Sequence, residues 1–130
     1  MRMLKQEEEN DEVEVTWEDQ QRINAFSKLN ARYRSLEDKI NALKLEKEGL
    51  DDLSTELELS DEVEPVLYRI GEAFVHMPHA RAMKRLEKDQ AAVSQEIEKF
   101  ADSAETCDKE MKELKLVLYA KFGSAINLDE

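Results

Sequence analysis

Asp61-Glu62-Val63-Glu64-Pro65-Val66-Leu67-Tyr68-Arg69-Ile70-Gly71-Glu72-Ala73-Phe74-Val75-His76-Met77-Pro78 is the stretch on which the fold turns. Asp61 to Glu64 is acidic and turn-like, and Pro65 stops a helix because it lacks a backbone donor and its ring clashes with the preceding turn. Val66 to Ile70 is mostly β-favouring. Gly71-Glu72 places glycine first in a two-residue turn, as a type II′ hairpin prefers, and Ala73 to Met77 supplies the return strand. A β-hairpin over residues 66–77 is the expectation. Pro78 suits the first turn of a new helix.

On both sides of this hairpin the pattern is helical. From Trp17 to Leu59 there is no proline, and Gly49 is the only glycine. A heptad puts Phe26, Tyr33, Ile40, Lys47 and Ser54 at a, and Leu29, Leu36, Leu43, Leu50 and Leu57 at d. An unbroken ladder of leucine at d is a strong coiled-coil signal. Thr16 offers an N-cap, with Glu18 and Asp19 in the first turn, where carboxylates complement the helix dipole. From His79 to Phe122 a second heptad places Met83, Gln90, Ile97, Ala104, Met111 and Leu118 at a, and Leu86, Val93, Phe100, Cys107 and Leu114 at d. Gly123 is a natural C-cap. The spacing predicts helices over 17–59 and 79–122.

In an antiparallel pair the a layers of one helix face the d layers of the other, so the numbers of facing residues share a constant sum. The heptads allow 140 or 147, and the limits of the two helices select 140. Leu36 then faces Ala104, Tyr33 faces Cys107, Ile40 faces Phe100 and Leu29 faces Met111. The fold class expected is therefore mainly α: a long antiparallel two-helix coiled coil with one β-hairpin at the bend. It occupies residues 16–123. Residues 1–15 read as a disordered acidic tail in which Glu7, Glu8, Glu9, Asp11, Glu12 and Glu14 repel one another. Residues 124–130 read as a short tail that carries Ile126 and Leu128.

Composition narrows the function. The chain of 130 residues has 38% charged residues with only 3 glycines and 2 prolines, which lacks the turn punctuation of an α/β enzyme. The net charge of −12 disfavours phosphate backbones and anionic membrane surfaces as partners. It either keeps an elongated chain soluble or suits a basic protein partner. One cysteine, Cys107, cannot form an internal disulfide, which fits a reducing compartment. No run approaches a membrane span, and Met1 to Lys5 lead into an acidic run rather than an apolar signal segment. A cytoplasmic location is the expectation.

No catalytic, cofactor or metal residues are expected. His76 and His79 have no second ligand pair at metal spacing. Cys107 falls at d, where a buried small hydrophobe is the simpler reading. There is no glycine-rich phosphate loop. An isolated hairpin is marginal in water and exposes two edges. Val66, Leu67, Ile70, Gly71, Phe74 and Val75 are accordingly the candidate assembly residues, which would pair with hairpins of other subunits.

Three segments resemble the prefoldin family, in its subunit-four branch. The opening Thr16-Trp17-Glu18-Asp19-Gln20-Gln21-Arg22-Ile23-Asn24-Ala25-Phe26 is similar, with Trp17 where the family usually has Phe. So is the close, Leu118-Tyr119-Ala120-Lys121-Phe122-Gly123-Ser124-Ala125-Ile126-Asn127-Leu128, with Ala125 in place of a common Asn. In the middle, Asp61-Glu62, Pro65, Tyr68, Ile70-Gly71 and Phe74 also match. The single hairpin resembles the β class. The resemblance implies one subunit of a hetero-hexamer whose hairpins join in a barrel-like body from which the coiled coils hang. It further implies capture of unfolded proteins, notably actin and tubulin, and their delivery to the cytosolic chaperonin without ATP or any other cofactor. Trp17, Ile23, Phe26, Tyr119, Phe122, Ile126 and Leu128 are the candidate client contacts, with mutual packing of the same residues as the alternative. A structural scaffold or tether without client binding is the other function class, and it has no need of a β element at the bend.

Overall fold

The computed structural model describes residues 2–3 and 14–128. In chain order these form β1 (Arg2–Met3), α1 (Trp17–Leu59), β2 (Val66–Ile70), β3 (Ala73–Met77), α2 (His79–Phe122), a 3-10 turn (Gly123–Ala125) and β4 (Ile126–Asn127). The architecture is the expected one, two long helices with an antiparallel hairpin between them. Helix α1 starts on a reciprocal cap. The Asp19 N–H donates to Thr16 Oγ1 at 3.1 Å, and the Thr16 N–H donates back to Asp19 Oδ2 at 3.1 Å. This satisfies two donors that the first turn leaves without partners.

At its far end α1 closes through Ser60, whose N–H and hydroxyl both donate to the Leu57 carbonyl. Val63 N–H then donates to Asp61 Oδ1 at 3.0 Å, a side-chain turn that leads the chain into Pro65. His79 Nε2 lies 2.7 Å from the Leu57 carbonyl oxygen. A carbonyl only accepts, so this nitrogen carries the hydrogen, and the bond ties the start of α2 to the end of α1.

The described chain divides into two units, one built from Lys39–Phe100 and the other from the described residues of Met1–Asp38 and Ala101–Glu130. Within each unit the two helices run antiparallel. In the first, Lys39 Nζ lies 5.5 Å from the centre of the Phe100 ring and Gln90 Nε2 donates to Asp51 Oδ1 at 3.0 Å. In the second, Lys121 pairs with Asp19 and Lys115 Nζ sits 5.9 Å from the centre of the Phe26 ring. The numbers of each pair total between 139 and 141, so the register centred on 140 holds in both and 147 is excluded. Leu36, Leu57, Leu86, Val93, Ala104, Cys107, Met111 and Leu118 are buried seam residues, whereas Lys47 is exposed at its a position.

Two expectations about the chain ends need restating. The acidic tail over 1–15 falls mostly on residue 1 and residues 4–13, which lie outside the described residues. Arg2 and Met3, however, are a strand: they pair antiparallel with Asn127 and Ile126. Of the short tail over 124–130, residues 129–130 lie outside the described residues, and 126–127 form β4. Gly123 adopts φ 55°, a left-handed conformation open to glycine, and so reverses the chain. Ile126 and Leu128 then bury their side chains.

Candidate assembly and client-contact surfaces

The hairpin belongs to the unit of residues 39–100. Its strands pair Val66 with Met77, Leu67 with His76, Tyr68 with Val75, Arg69 with Phe74 and Ile70 with Ala73. Gly71, at φ 63°, takes the left-handed position that the two-residue turn demands. Side chains alternate between faces, and the faces differ. Tyr68 and Met77 are buried against Leu57, Ala82 and Leu86, with Val66, Leu50, Leu53 and Met83 packed around them. Leu67 and Phe74, on the opposite face, are 53% and 63% exposed. Ile70, Gly71 and Val75 are exposed as well.

The six candidate assembly residues therefore divide. Val66 is partly buried against the Leu57, Tyr68 and Met77 cluster of its own chain. Leu67 and Phe74 point outward, whereas Ile70 and Val75 lie on the face of Tyr68 and are exposed there, on a two-stranded sheet with no further strand among the described residues.

Tyr68 is the anchor that sequence reading missed. Its hydroxyl donates to Asp89 Oδ2 at 2.7 Å, and Arg85 Nε donates to the same carboxylate at 3.2 and 3.4 Å. Burial, and then the bond to Asp89, hold the phenol above its ordinary pKa. A protonated Tyr68 thus fixes the hairpin to α2. The period-two alternation of Val66, Tyr68 and Ile70 was the available signal.

The second unit holds the candidate client contacts. Ile23, Phe26, Phe122, Ile126 and Leu128 are buried together with Met111 and Leu118, and Leu29, Tyr33, Leu114 and Ala125 pack against them. Those five are not an open surface in this conformation, since each already fills a neighbour's space. Trp17 and Tyr119 are the two of the seven that stay exposed, at 73% and 39%. The Tyr119 hydroxyl accepts the Leu128 N–H at 3.3 Å. Leu116, Val117 and Val15 are also exposed. The first two lie off the a and d positions, and that off-seam placement was the signal for them.

Beside the cluster, Asp19 is buried and accepts from the Thr16 N–H, from Arg22 Nη1 at 3.2 Å and from Lys121 Nζ. The hydrogen bond from Lys121, together with those from Thr16, outweighs burial and holds its carboxyl down to about 2. Among the described residues no group of His, Cys, Asp and Glu is arranged to hold a metal ion, and no helix is long and apolar enough to cross a membrane. His76 is exposed, and Cys107 is buried in the seam.

Comparison with known proteins gives this geometry a family. The model of the prefoldin subunit family matches residues 20–125. The chain belongs to the prefoldin subunit family. Prefoldin subunit 4 of Saccharomyces cerevisiae is 43% identical over 129 residues, which covers 99% of each chain. Prefoldin subunit 4 of Homo sapiens is 32% identical over 120 residues, covering 92% of this chain and 90% of its own. The crystal structure of the prefoldin beta subunit from Thermococcus strain KS-1 superposes with a TM-score of 0.73 at 12% identity, over 83% of this chain and 95% of that one. That likeness establishes the fold. Prefoldin membership makes the chain a chaperone subunit and implies assembly with other prefoldin subunits.

Proposed function

We propose that the chain is a non-catalytic subunit of a hetero-hexameric prefoldin that binds unfolded proteins of the actin and tubulin class in the cytoplasm and passes them to the cytosolic chaperonin. The observation that carries this reading is the hairpin. Leu67 and Phe74 on the outward face, and Ile70 and Val75 on the other, are exposed on a sheet to which no third strand adds among the described residues. That is costly for a lone chain and favourable once neighbouring hairpins cover it. A tether would gain nothing from such an element. Holding a client needs apolar groups without sequence preference, and Trp17, Tyr119, Leu116 and Val117 provide them in the other unit. The lone Cys107 suits a reducing compartment. The decisive experiment combines the chain with its partner subunits. A defined hexamer should form, keep a denatured client soluble without nucleotide, and release it to the chaperonin. A hexamer that leaves aggregation unchanged would reject the client-binding part of the reading.

A further inference from the structure

Strand β4 is held from beneath. Ile126 and Leu128 sit in the buried cluster, the Leu128 N–H is bonded to the Tyr119 hydroxyl, and Gly123 turns the chain into this position. These named supports come from residues 23–128. The pairing of β1 with β4 is short: Arg2 opposite Asn127 and Met3 opposite Ile126. A ladder of two residue pairs is the weakest form of strand association, since a handful of backbone bonds must offset the ordering of the segment that makes them. The site is thus a fixed extended backbone with an exchangeable partner, flanked by the partly exposed ring of Tyr119. Strand addition of this kind takes its affinity from main-chain hydrogen bonds, which any extended polypeptide can offer.

We propose that β1 is a placeholder: it occupies the edge of β4 at which an extended segment of an unfolded polypeptide adds as a strand, displacing Arg2 and Met3. The inference rests on the reading of the chain as a client-holding subunit. It adds a sequence-independent backbone contact to the apolar ones. It also makes the chain's own strand a competitor, because an occupied edge lowers apparent affinity by the fraction of β4 left free.

The test uses the assembled complex and, as probe, a reduced and carboxymethylated protein that stays unfolded. In the parent, saturating probe should speed amide exchange at Arg2 and Met3 while the Ile126 and Asn127 amides stay protected. Replacing Arg2→Pro and Met3→Pro together removes the donors of β1, and the probe should then bind about three- to tenfold tighter. Adding Asn127→Pro, which takes a donor from β4, should abolish that gain. If probe leaves exchange at residues 2–3 unchanged, or if the β1 variant binds no tighter than the parent, β4 is not the client edge. The parent exchange measurement needs no variant to fold. A parent complex that fails to bind the probe at all rejects the holdase reading itself, which is a different result from binding that leaves β1 in place.

Discussion

Replacing Leu67→Asp and Phe74→Asp together should abolish assembly while leaving the chain folded. Both side chains lie on the outward face of the hairpin and are 53% and 63% exposed in the single chain. Burying a whole Leu or Phe contributes about 1.5–3 kcal/mol. Covering the exposed half of each in a complex is therefore worth about 1.5–3 kcal/mol for the pair. The substitution loses that and adds two carboxylates to a drying interface, each of which costs several kcal/mol without a partner. A combined penalty above about 5 kcal/mol corresponds to more than a thousandfold in association. Exposed positions in the free chain should cost far less, about 0.5 kcal/mol for the surface change and up to about 1 kcal/mol for the poor strand propensity of Asp. The seam and the Tyr68 anchor are untouched. Circular dichroism should show unchanged helicity, and native mass spectrometry of co-expressed subunits should show the hexamer missing this chain. Hexamer at the parental yield would refute the assignment of this face to assembly.

Asp19→Asn should flatten the acid limb of the stability curve. The folded carboxyl is held at about 2, below the ordinary value near 3.9, so its stabilisation is present above about pH 4 and is lost as pH falls toward 2; thermal unfolding from pH 2 to 6 reads this. Tyr68→Phe should cost about 1–2 kcal/mol by removing the bond to Asp89. It should also remove a loss of stability above about pH 10, where the raised phenol stays protonated when folded and ionises when unfolded. Leu118→Ala, at a fully buried position, should cost about 2–5 kcal/mol in denaturant unfolding. Trp17→Ser with Tyr119→Ser should keep the hexamer intact and lower its protection of a denatured client in a light-scattering assay.

The helices and hairpin were legible because local chemistry dictates them. Five leucines at d, Pro65 as a stop, Pro78 as a helix start and Gly71 at a turn each admit one reading, and the register followed from where the heptads end. The partition of the hairpin was harder. Val66 and Phe74 are equally apolar, and only the position of the sheet against Leu57, Ala82 and Leu86 turns one inward and leaves the other outward. The bond from Tyr68 to Asp89 joins residues that no short-range pattern links. The return of residues 123–128 escaped for a similar reason: a heptad scan stops at Phe122 and does not follow a glycine into the left-handed region. Pairing of Arg2 with Asn127 is non-local altogether. Hence the seven candidate client residues, alike as sequence, separate into five that pack on one another and two that face outward. A substitution at Ile23 would now be expected to loosen the cluster before it touched any client.

If the chain holds clients as proposed, that separation decides how. Trp17 and Tyr119 are the exposed candidates, joined by Leu116 and Val117. Each contributes about 1.5–3 kcal/mol only if wholly buried, and a shifting contact with an unfolded chain covers a fraction of that. Two or three such contacts amount to about 4 kcal/mol, a millimolar interaction before the cost of immobilising the partners is subtracted. One chain by itself is thus too weak to hold anything. Several such surfaces linked in one complex raise avidity by about 10²–10⁴ where the client can span them, which brings the same contacts into the micromolar range. On the proposed reading, assembly through the hairpin and holding through the helix ends would be coupled by arithmetic alone. The exposed side chains could then stay few, because the proposed hexamer would supply the multiplicity that makes them bind.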